Sequence, residues 1–208
     1  MRRMAWILGA LLGGCGGGEK PVDETPKPAA TGWPDGGVPP GWRAEGTKQE
    51  GPLAQWAVEA GVLRVVDPGL GAKPTFNLCW SDEPRFKDGT IEVEVKAGEG
   101  EIDRGGGPIW RARDKDNYYI ARWNPLEDNF RVYKVVSGER IQLASADVST
   151  DPDAWHVIRV RHEGATIECF LDGEKLLEAT DDALPDEGGV GVWAKADAKT
   201  AFRNLKIE

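Results

Sequence analysis

The feature that most constrains this chain is the run Gly89-Thr-Ile-Glu-Val-Glu-Val-Lys-Ala97. Ile91, Val93 and Val95 alternate with Glu92, Glu94 and Lys96. A period of two puts the apolar side chains on one face and the charges on the other, which predicts a half-buried antiparallel strand. Comparable short runs fill the chain after Gly61. They are GVLRVVD, TFNLCW, NYYIARWN, FRVYKVV, IQLASADV, WHVIRVRHE, ATIECFLDG, KLLEATDD, GGVGVWAKA and AFRNLKIE. Turn chemistry separates them, notably Ser137-Gly138 and Asp172-Gly173, where glycine supplies a positive φ. No stretch sustains a helical period. A dozen or so strands joined in this way predict an all-β, antiparallel two-sheet sandwich or jelly roll.

The first 32 residues have a different texture. Arg2 and Arg3 precede a short apolar run, Ala5 to Leu12, and the sequence then reads Leu12-Gly-Gly-Cys15. The run is too short for a permanent span and has the form of an export signal. Its end resembles a bacterial lipobox, which implies cleavage after residue 14 and lipid on Cys15. Gly16 in place of an aspartate points to the outer membrane. Residues 15–32, rich in Gly, Pro, Glu and Lys, read as a tether without a core of its own. The expected organisation is a signal at 1–14, a lipidated tether at 15–32 and a sandwich at 33–208, placed in the cell envelope and touching the membrane through its anchor only.

Charge narrows the partners. Lysine plus arginine total 26 against 35 acids, a net of -9; loss of Arg2 and Arg3 with the signal makes it 24 against 35, or -11. Such a chain is a poor nucleic-acid binder. Lipid on Cys15 leaves Cys79 and Cys169, which an exported compartment permits to pair and which would serve equally as small buried hydrophobes.

The run Trp155-His156-Val-Ile-Arg-Val-Arg-His162, followed by a strand into Leu171-Asp-Gly, resembles the concanavalin-A-like, laminin-G-like sandwich. GGVGVWAKADAKTAF resembles the ending of its bacterial members. GGGPIWRARDKDNYYIARWN, from Gly105, is similar to exported bacterial proteins related to the 3-keto-disaccharide hydrolase domain. The resemblance spans about residues 33–208. It implies the fold, and activities ranging from sugar binding to glycoside cleavage; fold alone does not select among them. Where such relatives carry Phe-Asp-Asp, this chain has Phe202-Arg203-Asn204, so a cation site built on those acids is not expected here.

Chemical motifs are sparse. The glycine triplet lacks the Lys-Ser/Thr and helix of a phosphate loop. His156 and His162 are roughly 20 Å apart on an extended strand and cannot share a metal or a proton. There is no GxSxG nucleophile, and the glucanase run Glu-x-Asp-x-x-Glu is missing. No cofactor or metal is expected. Strand parity does group polar side chains: Arg111 on one strand, Arg122 and Asn124 on the next, Asn129 and Arg131 on a third. Trp193, Lys195 and Asp197 are placed to complete a groove. Arginine forks bind hydroxyls and carboxylates, and aromatic faces stack on sugar rings. The expectation is a glycan-binding face with a carbohydrate ligand. Two alternatives stay open: a 3-keto-glycoside hydrolase or lyase, and a non-catalytic adhesion module. The arginines would otherwise be solvated and paired with Glu127 or Asp128.

Overall fold

A computed structural model describes residues 32–49, 51–69 and 75–208. The signal, Cys15 and the tether up to residue 31 lie outside the described residues. Fourteen strands are present among those described, and no helix. They are β1 (Arg43–Thr47), β2 (Gln55–Glu59), β3 (Val62–Asp67), β4 (Phe76–Phe86), β5 (Gly89–Lys96), β6 (Gly106–Asp114) and β7 (Asn117–Asn124). The series continues with β8 (Asn129–Val136), β9 (Glu139–Asp147), β10 (His156–Glu163), β11 (Thr166–Leu171), β12 (Glu174–Thr180), β13 (Gly188–Lys195) and β14 (Ala201–Ile207).

Two seven-stranded antiparallel sheets form the expected jelly-roll sandwich. One has the order β1-β4-β13-β6-β7-β8-β9, the other β12-β11-β10-β5-β14-β3-β2. Long connections, such as β4 to β13 side by side, require the sequence to return to a sheet it has left. β1, which follows Trp42, and β2, which contains Trp56, carry too little alternation to be read from sequence because both are only five residues long.

The second sheet behaves as its pattern dictates. Ile91, Val93, Val95, Ile158 and Val160 are fully buried against the first sheet. Their neighbours Glu92 and Glu94 face outward and pair with Lys206 (2.8 Å) and Arg203 (2.6 Å). Asn204 also donates to Glu94 at 2.6 Å. The Phe-Arg-Asn run therefore ties β14 to the outward face of β5.

The first sheet does not alternate wet and dry. β6, β7 and β13 are buried along nearly their whole length. Trp110, Tyr119, Trp123, Phe130 and Val132 pack between the sheets. Leu78, Trp80, Ile109, Tyr118, Ile120, Tyr133, Val135 and Trp193 form a second apolar cluster on the opposite face. Close strand packing makes room for this. A β-carbon on Gly106 would meet the Trp193 carbonyl oxygen at 2.2 Å, and one on Gly107 the Ala121 oxygen at 1.9 Å. The glycine triplet is thus where β6 slides between β7 and β13, a close backbone approach and not an anion cradle.

Cys79 and Cys169 are free and buried, one on each side of the inter-sheet core. Burial pushes both thiols up from their ordinary pKa. Both histidines are structural. His156 lies on the Trp123 ring, centroids 4.6 Å apart, and meets Asp172 at 2.7 Å. His162 accepts a hydrogen bond from Trp110 Nε1 at 2.8 Å.

Burial, reinforced by the Arg111 charge, lowers the His162 pKa from 6.5 to about 4. The unfolded chain therefore binds a proton at His162 before the folded chain does. Its contribution to stability is complete above pH 6.5 and is lost as the pH falls towards 4. Urea unfolding at pH 5 should show about 1–2 kcal/mol less stability than at pH 7 from this group. In His162→Gln, which keeps an acceptor for Trp110, that part of the loss should vanish.

Candidate functional site

The apolar outer face of the first sheet is strongly curved. β9 and β4 are separated by four strands, roughly 24 Å if the sheet were flat. Yet the Arg140 guanidinium of β9 lies 4.9 Å from the Phe76 ring of β4. The outermost strands also meet. Thr47, at the end of β1, donates to the Lys115 carbonyl at 2.5 Å and lies 2.9 Å from the Tyr118 hydroxyl. Lys48 binds Asp116 through its backbone N–H and Glu139 through its ammonium. Trp193 Nε1 donates to the same Tyr118 hydroxyl at 3.1 Å. The face is a concave, aromatic-floored trough.

A polar cluster borders this floor. The register of β7 and β8 sets Arg122 opposite Arg131, Asn124 opposite Asn129 and Ile120 opposite Tyr133. Two arginines face to face repel unless a carboxylate intervenes. Glu127, in the β7–β8 turn, supplies it. Its Oε2 accepts from Arg122 (3.3 Å), Arg131 (3.2 Å) and Asn129 (3.1 Å). Burial opposes ionisation of Glu127, but these donors outweigh it and hold the carboxyl below its ordinary pKa. Asp103, fully buried, accepts from Arg122 (2.9 Å), Asn124 (3.0 Å) and Lys195 (2.8 Å).

Seven of the eight residues singled out from sequence lie in or beside this cluster. Arg122, Asn129, Arg131, Trp193 and Lys195 are in it. Asn124 and Asp197 support it. Asn124 Oδ1 accepts the backbone N–H groups of Leu126 and Glu127 and shapes the turn. Asp197 accepts those of Glu101, Ile102 and Asp103, which fixes the loop carrying Asp103. Burial opposes the Asp197 charge, and the three N–H groups overcome it, so its pKa is lowered.

Arg111 is elsewhere. Parity was expected to set Ile109 and Arg111 on one face, with Ala112 on the other. Instead Arg111 adopts φ 47° in a register shift between Trp110 and Asp114. The bulge flips the count, so that Ile109 and Ala112 share the trough. Arg111 turns its side chain into the end of the sandwich. It donates to the carbonyls of Lys87 (2.8 Å), Leu184 (3.0 Å) and Gly164 (3.0 Å) and to Asp88 (3.2 Å). It is a tie between the β4–β5 turn, the β10–β11 turn and the segment before β13.

Three side chains of the trough were not singled out as site residues from sequence. Asp103 sits in a loop and has no periodic signal. Tyr133 shares its face with Arg131 and was within reach of the same parity argument. Arg140 follows a register shift between β8 and β9, which parity cannot see across. Its guanidinium lies 4.5 Å from the Tyr133 ring and 6.0 Å from the Trp193 ring. Burial lowers its pKa.

Eight buried side-chain polar atoms among the described residues lack a hydrogen-bond partner. Four of them belong to this trough: Arg122 Nε, Asn129 Oδ1, Tyr133 Oη and Arg140 Nη1. Buried polar atoms are rarely left unpaired, so these mark where an external hydrogen-bonding group would be accommodated. The face combines donors, an acceptor and aromatic planes, which suits a polyhydroxylated ring. The described residues contain no group of three or more His, Cys, Asp or Glu able to hold a metal.

Residues 33–208 match the model of the 3-keto-alpha-glucoside-1,2-lyase-like domain. Among solved structures, the chain is similar to the carbohydrate-binding module CBM66 from Bacillus subtilis, at 22% identity and a TM-score of 0.66. That match covers 81% of this chain and 95% of the module. It is also similar to the β-glucanase of Bacillus licheniformis, at 11% identity and a TM-score of 0.56, covering 79% and 89%. A galectin-like protein of unknown function from Bacillus subtilis matches at 16% identity and a TM-score of 0.58, covering 80% and 88%. No curated protein matches the chain in sequence. At these identities the solved structures establish the fold.

Replacing Arg111 by methionine should cost about 3 kcal/mol, because three carbonyls and a carboxylate lose their donor in a buried setting. Denaturant unfolding would measure it. A loss below about 1 kcal/mol would mean that the tie is dispensable.

Proposed function

The chain belongs to the 3-keto-alpha-glucoside-1,2-lyase-like domain family, and on that footing we propose that its concave trough binds a glycan. One observation carries the reading. Four unpaired buried polar atoms belong to the face that also carries Trp193, Tyr133 and Phe76. A sugar ring supplies hydroxyls for the first and a C–H face for Phe76, the partly exposed ring, beneath which Trp193 and Tyr133 are buried. Arg122, Asn129, Arg131 and Lys195 line the polar side, while Asp103 and Glu127 hold those cations in position. Likeness to a carbohydrate-binding module supports the reading at the level of fold.

Membership of a lyase-like family favours a second reading, elimination on a 3-keto sugar. That step needs a base to remove the proton next to the carbonyl. Glu127 is the exposed carboxylate of the trough, but three donors occupy its Oε2 and hold its pKa low, which makes it a weak base. Binding without turnover is therefore the reading adopted. An adhesion role on protein has no observation of its own. We also propose that Cys15 is lipidated and that the domain is held at the cell envelope, at the outer membrane, on the sequence pattern given above.

Calorimetry with a panel of oligosaccharides should find a ligand. Tyr133→Phe, which removes an unpaired hydroxyl, should weaken it about fivefold to tenfold with thermal stability preserved. A panel without binding would sink the reading. Turnover of a 3-keto-glucoside that Glu127→Gln abolishes would replace it with the lyase. For the anchor, Cys15→Ser should move the protein from the membrane fraction to the soluble one, and an unchanged distribution would refute lipidation.

A further inference from the structure

The cations of the trough are not equally provided for. Arg122 and Lys195 meet Asp103 at 2.9 and 2.8 Å. Arg131 meets Glu127 at 3.2 Å and lies near the Tyr133 hydroxyl and, more weakly, Asp147. Lys48 meets Glu139. Arg140 has no carboxylate at salt-bridge distance among the described residues. It sits instead among three aromatic rings, with Nη1 buried and unpaired. Ring faces stabilise a cation by about 1–2 kcal/mol. They do not accept the in-plane N–H of a guanidinium, and desolvating that group without an acceptor is costly. The chain has nine more acids than bases, yet among the described residues none of them meets this guanidinium at salt-bridge distance.

We infer that the ligand of the trough carries an anionic group, a carboxylate or sulfate on the sugar, and that Arg140 receives it. This inference rests on the glycan reading above and sharpens it to an acidic saccharide. A planar guanidinium presents two parallel N–H groups to a carboxylate and a similar fork to a sulfate. The aromatic rings around it hold the fork in place and keep water from competing. Phe76 and Arg140 are partly buried and keep some contact with solvent, which leaves their side of the trough reachable. Asp103 and Glu127 repel an anion, but each is already engaged by two cationic side chains, so they orient donors and do not cancel Arg140.

The test compares three probes by calorimetry on the full chain: tetragalacturonate, its methyl ester and a sulfated neutral tetrasaccharide. The acid should bind at least tenfold tighter than its ester. Arg140→Met should lower affinity for the acid about tenfold more than affinity for the ester, so that the preference for the acid is lost. Arg140→Lys should keep the preference for the acid at reduced affinity, which separates lost charge from lost packing. Thermal unfolding would verify that both variants are folded. Binding of the sulfated probe alone, with the same dependence on Arg140, also supports the inference and identifies sulfate as the anion. Equal binding of acid and ester would overturn it while leaving glycan binding intact. An acid preference untouched by Arg140→Met would overturn the assignment to this residue. If neither these probes nor the neutral panel bind, the glycan reading falls with it.

Discussion

The structure depends on the meeting of the first sheet's two outer strands across its own face. Thr47 and Lys48 reach the turns at Lys115–Asp116 and the start of β9, and the Tyr118 hydroxyl is shared between Thr47 and Trp193. A flat seven-stranded sheet would leave its outer face wet. Curvature on this scale buries Leu78, Ile109, Tyr118 and Trp193 completely. It also brings residues five strand steps apart within van der Waals range of one guanidinium. The floor of the trough and the isolation of Arg140 are both consequences of that closure.

Closure has an electrostatic cost, and the polar cluster is organised around it. Arg122 and Arg131 are forced opposite each other by the β7–β8 register, so the turn that joins the two strands must provide the counter-charge. Glu127 does so from within the turn, and Asn124 shapes the turn that presents it. Asp103 is delivered from a different loop, held by Asp197. Each carboxylate bridges two or more donors, which fixes the donors' orientation before any ligand arrives. Such preorganisation reduces the entropy lost on binding. An exposed set of arginines, each free to rotate, would lack it.

Arg111 and Arg122 show how alike two residues can look in sequence. Both follow an aromatic or small residue on a strand that parity assigns to one face. β7 runs in regular register with β8, so the parity of Tyr118, Ile120 and Arg122 is preserved and the expectation holds for Arg122, Asn129 and Arg131. β6 carries a bulge at Arg111, where a positive φ and the close approach of Gly188 of β13 shift the count by one. The same arginine that would have extended the trough becomes a tie between three loops.

By itself the sequence determined everything that follows from local periodicity. It placed most of the strands and the antiparallel sandwich. It identified the wet face of β5 and the shared face of Arg122, Asn129 and Arg131, because side chains alternate strictly along an unbroken strand. The reading of GGG as close packing and not a phosphate loop was equally local, since the missing lysine and helix are visible in the chain. Tertiary structure decided what depends on strands distant in sequence. It set which edges of the sheet meet, which loop supplies Asp103, and where a bulge reverses parity. It left Cys79 and Cys169 unpaired, and it left Arg140 among aromatic rings with no carboxylate of the described residues at salt-bridge distance. Alternation constrains a residue's side of a strand; only the curvature of the whole sheet decides what that side faces.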